Sequence, residues 1–304
     1  MIIKLVIQAV LFCLMLIGSN TVAGSSKDEQ IQKPQIYVSV PPLAYLAEQI
    51  AGDNFEVVSV IGPGQSPATF ETTPKQMVKI SKAVVYFSAG VPFEKHLNKK
   101  LQSNFENLNI VDTQKGIELQ EIEHHHHDHS HGKTEETNSL DPHSWLDPSL
   151  AKIMAQNIYD ELTKIYPNDS MIYQNNLNLL FNNLDKIDST IKIAIKPFQN
   201  QRFYTFHPAF GYFARAYGLN QIAIEVDGKE PSAKQLTNII RKAKEDKIEI
   251  LFTQPQFSDK SARAIAESVG AAVIPIDPLS RDYLSNLKEI TRQLINAYRD
   301  NFNE

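Results

Sequence analysis

The chain has 304 residues, a formal net charge of −5 and one cysteine, Cys13. Basic residues are scattered rather than clustered, which excludes an electrostatic nucleic-acid binder, and a lone cysteine excludes disulfides and cysteine-based zinc sites. No apolar stretch beyond the N-terminal region is long enough to span a bilayer.

At the N-terminus, Lys4 precedes an apolar run at residues 5–18 and a small-residue site at Thr21-Val22-Ala23. This is the pattern of a secretory signal peptide, residues 1–23, and it predicts an exported protein in an extracytoplasmic space, the periplasm or its equivalent. Cys13 lies inside the apolar run, too early for a lipid-modified cysteine at the cleavage point.

Beyond it, strand-like and helix-like patterns alternate, as expected of an α/β fold with mostly parallel sheets. Residues 36–40 (IYVSV), 55–61 (FEVVSVI), 83–87 (AVVYF) and 108–111 read as strands, and residues 43–50 as a helix. Thr73-Pro74-Lys75-Gln76 carries a capping box with proline at the first helical position. Asp147-Pro148 opens a helix to Tyr166, and residues 170–195 form a longer one without Gly or Pro, long enough at 1.5 Å per residue to reach about 40 Å. The grammar then repeats. Residues 202–206 (RFYTF), 221–226, 248–253 and 272–276 read as strands, interleaved with helices at 210–217, 232–245 (opened by a second capping box at Ser232 and Gln235) and 258–269, and followed by one at 283–302. The expected architecture is two similar lobes, residues 24–167 and 198–304, joined by one rigid helix at residues 168–197.

Histidine usage points to a transition metal. Six of the nine histidines, His124, His125, His126, His127, His129 and His131, fall within eight residues flanked by polar sequence. Such a tract reads as a mobile loop, residues 123–139, that captures transition metal loosely because ordering it costs conformational entropy. A better-built site is expected where parallel strands end, since ligands bind beyond the carboxyl ends of such strands. His207 directly follows RFYTF, Asp277 directly follows AAVIPI, and His143 lies in DPHSWLDP just before a helix. Proline beside each restricts the backbone. Separately each has a bland reading: a surface or core histidine, or a turn-initiating Asp-Pro. Together they supply two imidazoles and a carboxylate, three of the four groups of a tetrahedral zinc site.

The segments GPGQSPATFETTPKQ, DPHSWLDP, FHPAFGYFARAYGL, EPSAKQL and IPIDPL, in this order after an acidic His-rich loop, resemble the metal-binding class of periplasmic solute-binding proteins that serve ABC importers of zinc and manganese, the zinc-specific members most of all. The resemblance implies two α/β lobes bridged by a rigid helix, metal in the cleft, and His143, His207 and Asp277 as ligands. It also implies an integral-membrane permease with its ATPase as partner, and a monomer. The family's first ligand is a histidine after Pro67, where this chain has Ala68. Water, Glu71, Gln65 or a histidine of the tract could complete the shell. Two nitrogens favour Zn2+ over Mn2+ by ligand softness. A zinc-dependent hydrolase and a periplasmic zinc buffer use similar ligands, but neither HExxH nor GxSxG is present to supply a base or a nucleophile.

Overall fold

A computed structural model describes residues 33–122, 140–225 and 231–300. Residues 1–32, 123–139, 226–230 and 301–304, among them the expected signal peptide and the His-rich tract, lie outside the described residues. The described residues form one compact unit.

Two four-stranded sheets organise that unit. The first contains β1 (Gln35–Val38), β2 (Glu56–Ser59), β3 (Val85–Ser88) and β4 (Ile110–Asp112) in the order β2-β1-β3-β4. The second contains β5 (Arg202–Thr205), β6 (Asn220–Ala223), β7 (Ile250–Thr253) and β8 (Ala272–Pro275) in the order β6-β5-β7-β8. Every pairing within the two sheets is parallel. Parallel sheets are covered on both faces, so their strands read as apolar runs; all four residues of β3 are buried. In each sheet the order reverses between the first and third strands, which leaves a crevice at their carboxyl ends.

The helices are α1 (Pro41–Ala51), α2 (Pro74–Ile80), α3 (Glu94–Asn104), α4 (Pro148–Ile165), α5 (Ser170–Ile195), α6 (Gly211–Tyr217), α7 (Ala233–Glu245), α8 (Lys260–Val269) and α9 (Tyr283–Asp300). Both expected capping boxes form, Thr73 with Gln76 and Ser232 with Gln235. The Asp147 side chain accepts from the Ser149 amide at the start of α4. One helix was not anticipated: α3, whose only buried apolar residues are Leu97 and Leu101. Its composition is dominated by Lys, Asn and Gln, so no apolar stripe announces it.

The 26-residue α5 links the two sheets. Its buried face runs through Tyr173, Leu177, Leu180, Leu184, Ile187, Ile191 and Ile195, the three-and-four spacing of one helix face. It packs against α1 and α4 on the first side and α9 on the second. One apolar core passes from the first sheet through α4, α5 and α9 to Phe203, Phe210 and Phe252 of the second lobe. A smaller cluster, with Tyr204, Phe206, Ile222 and Leu251, fills the opposite face of the second sheet.

Glu94, 2% exposed, shows how the first sheet's carboxyl edge is held. Its carboxylate accepts from Tyr86 Oη at 3.0 Å, Ala89 N at 3.0 Å and Val91 N at 2.9 Å. Burial nonetheless outweighs these bonds and raises the Glu94 carboxyl above its ordinary value of 4.5. The folded state then binds the proton more tightly than the unfolded chain, so this group's contribution to stability is greatest below 4.5 and is lost as pH rises through the raised folded value. Glu94→Gln removes that dependence. Thermal melts across pH should show wild type losing ground relative to the variant as pH rises from 4.5, with a constant difference at lower pH.

Candidate metal site

The segment Asp141-Pro142-His143-Ser144-Trp145-Leu146 leaves the first half and is driven into the interior: Asp141 is 3% exposed, His143 7%, and Ser144 and Trp145 not at all. A buried loop must pair its backbone polar groups. Asp141 N donates to Gln120 O at 2.7 Å, and Asp141 O accepts from Tyr212 Oη of the second lobe at 3.0 Å. Gln114 Nε2 donates to Pro142 O at 2.7 Å and to Ser144 Oγ at 2.8 Å. Trp145 Nε1 donates to Pro278 O at 2.9 Å, and Tyr283 Oη donates to Trp145 O at 2.5 Å.

This packing brings His143 against His207, with ring centroids 5.2 Å apart and planes inclined at 73°. Each ring has one nitrogen committed. His143 Nδ1 lies 2.6 Å from Asp141 Oδ1, which also accepts from the His143 amide at 2.9 Å. His207 Nδ1 lies 2.8 Å from Glu225 Oε1. A carboxylate on Nδ1 sets the tautomer and leaves Nε2 as the nitrogen that could take a metal. Burial lowers the His207 pKa despite the opposing Glu225 bond, so the ring is neutral, as a ligand must be.

His207 is gripped by the loop after β7. Gln254 Oε1 accepts from His207 N at 3.0 Å and Gln254 Nε2 donates to His207 O at 3.1 Å, while Phe257 stacks on the imidazole at 4.6 Å. Both residues therefore sit in the crevice where the strand order reverses.

Asp277 ends β8's extension, as its position suggested, but its Oδ1 accepts from Leu279 N at 2.9 Å and Gln256 Nε2 at 2.7 Å. The turn role is thus real: it closes an Asx-type turn ahead of α9. Among the described residues, no group of three or more His, Cys, Asp or Glu side chains is arranged to hold an ion, so the two histidines are brought together and Asp277 is not yet assembled with them. Ala68 is exposed. Gln65 is engaged in its own turn, its Oε1 accepting from Gly62 N at 2.7 Å. Glu71 is exposed, and the cap of α2 is made by Thr73 and Gln76 without it. His124, His125, His126, His127, His129 and His131 lie outside the described residues; the ends of that segment meet in a bridge between Glu121 and Leu140.

Reasoning from sequence missed the supporting residues Asp141, Glu225, Gln254 and Tyr212. Asp141 had a signal, a carboxylate two residues before a histidine with proline between. Glu225 had a fainter one, a carboxylate at the end of the strand that follows His207.

A model of the zinc-uptake complex component A periplasmic family matches residues 36–297. The chain belongs to this family. Its members are solute-binding components of importers, a binding role rather than a catalytic one. The chain is 28% identical over 306 aligned positions to the high-affinity zinc uptake system protein ZnuA of Bacillus subtilis, covering 97% of this chain and 96% of that protein. It is 27% identical over 277 positions to the manganese ABC transporter substrate-binding lipoprotein PsaA of Streptococcus mitis, covering 88% and 86%. A crystal structure of ZnuA superposes with a TM-score of 0.80 at 36% identity, covering 88% of this chain and 99% of that one. Family membership accounts for the shared plan of two parallel sheets and a linking helix.

Gly211 offers a test of the packing around Asp141. A Cβ at Gly211 would stand 2.8 Å from Asp141 Oδ2, and Asp141 cannot swing away without releasing His143. Glycine to alanine within a helix ordinarily stabilises by roughly 0.5–1 kcal/mol. Here Gly211→Ala should instead destabilise by about 1–3 kcal/mol through overpacking. Denaturant melts give the sign directly.

Proposed function

We propose that this chain captures Zn2+ outside the cytoplasm on His143 Nε2, His207 Nε2 and one carboxylate oxygen of Asp277, and delivers it to an integral-membrane ABC permease driven by an ATPase. The observation that carries this reading is the meeting of a buried imidazole, His143, and a half-buried one, His207, from different lobes, each with its Nδ1 held by a buried carboxylate. Among the described residues the carboxylate partner of each ring is on Nδ1, an arrangement that ordinary core packing does not call for. A divalent ion between the rings would use both Nε2 atoms at once. Asp277 lies beyond the strand next to β7, and the carboxylate oxygen other than the one held by Gln256 and Leu279 supplies the third donor. With Ala68 in place of a fourth side chain, water completes a tetrahedron.

Metal choice follows from donor chemistry. Two imidazoles suit zinc, whereas manganese favours oxygen-rich, higher-coordinate shells. In this reading residues 1–23 are an export signal, the mature chain acts in the periplasm as a monomer, and the His-rich tract at residues 123–139 is a weaker auxiliary capture segment.

His143→Ala and His207→Ala should each weaken zinc binding by more than the roughly 10–100-fold typical of losing an outer support of a ligand. Competition with a chelator measures this, and a double variant that keeps one tight zinc site contradicts the assignment. Ala68→His should act in the other direction. An added imidazole displaces the water, so zinc binds more tightly and leaves more slowly in the same titration and in stopped-flow release. Unchanged affinity would mean that position 68 is held away from the ion.

A further inference from the structure

The loop after β7 touches two proposed ligands from the strands on either side of it. Gln254 and Phe257 hold His207 beyond β5, and between them Gln256 reaches Asp277 beyond β8. Gln256 Nε2 donates to Asp277 Oδ1 at 2.7 Å, and the Leu279 amide donates to the same oxygen at 2.9 Å. A carboxylate oxygen in two hydrogen bonds has both lone-pair directions in use. The Asp277 backbone is also fixed, since Asn286 Nδ2 donates to its carbonyl at 2.6 Å.

The direction of the Gln256 amide is set by chemistry. Its Oε1 is buried and has no hydrogen-bond partner among the described residues. Turning the amide over would set that oxygen against the Asp277 carboxylate and lose the one bond the group makes. A buried acceptor left unpaired is a cost that packing alone does not explain.

We propose that Gln256 is a selectivity-determining residue: by occupying Asp277 Oδ1 it restricts the carboxylate to one donor oxygen and so holds the coordination number at four. The inference rests on the reading of His143, His207 and Asp277 as the zinc ligands. Each of the three then offers one donor atom, because Asp141, Glu225 and Gln256 each occupy the other. Two nitrogens, one oxygen and a water make a zinc tetrahedron. Manganese, which prefers more oxygen donors, would gain from a two-oxygen grip that Gln256 denies it. The glutamine acts through Asp277 and is a positioning residue; it contacts no cargo.

The test uses the full exported chain and its Gln256→Met variant, which keeps the length of the side chain and removes the N–H donor. Zinc and manganese affinities are measured by chelator competition, and Co2+ is used as a spectroscopic probe of coordination number. The zinc-to-manganese affinity ratio should fall by about tenfold or more, the lower end of what losing an outer-shell partner does to metal affinity. The visible absorption per bound Co2+ should weaken as coordination rises above four. An unchanged ratio with an unchanged cobalt spectrum, in a variant with wild-type circular dichroism, overturns the proposal. Equal weakening of both metals also overturns it, since Gln256 would then be a general support. Gln256→Ser serves as the second variant if the methionine disturbs folding. Failure of the ligand assignment itself registers separately, as tight zinc retained in the His143→Ala, His207→Ala double variant.

Discussion

The six residues from Asp141 to Leu146 are a loop, yet they are packed as deeply as a core helix. Trp145 is fully buried, and its indole N–H and carbonyl oxygen both find their partners in the second lobe, at Pro278 and Tyr283. Loops usually run over surfaces because buried backbone groups need partners. This one goes inside because Gln114, Tyr212, Tyr283 and the Pro278 carbonyl supply them. The position of His143 is a by-product of that pairing. So is its approach to His207, since Tyr212 belongs to the helix that starts four residues after His207.

The same constraint limits how the protein can move. The apolar core is continuous from the first sheet through α5 to the aromatic residues of the second lobe. Large apolar interfaces resist relative motion of the parts they join. Tyr45 stacks on Tyr283, and Arg281 pairs with Glu48, adding further ties across the halves. Opening of the cleft by a wide hinge would break these contacts together. Exchange of cargo is therefore better served by local movement at the exposed segment around Ala68.

Much of the fold was legible because it rests on strong local signals. Segments rich in β-branched and aromatic residues marked the strands, and two capping boxes formed where Ser or Thr stood three residues before Gln. The uninterrupted stripe of α5 was visible from residue spacing alone. Helix α3 was invisible because it is mostly solvated. In the site, His143 and His207 could be singled out by their place next to strand ends or prolines. Their carboxylate partners could not, because Asp141 and Glu225 acquire meaning only when the chain brings each within 3 Å of an imidazole. Asp277 carries both meanings at once: the turn-forming oxygen foreseen as its bland reading is real, and the second oxygen is what the proposed site would use.

The central claim is that one zinc ion bridges the two lobes through the Nε2 atoms of His143 and His207. Zinc-edge anomalous diffraction from crystals of the loaded protein tests it directly. The account predicts a single strong peak in the cleft, within about 2.0–2.1 Å of both Nε2 atoms and bonded to one oxygen of Asp277. A peak on the Nδ1 side of either ring, or one remote from His143 and His207, would contradict it.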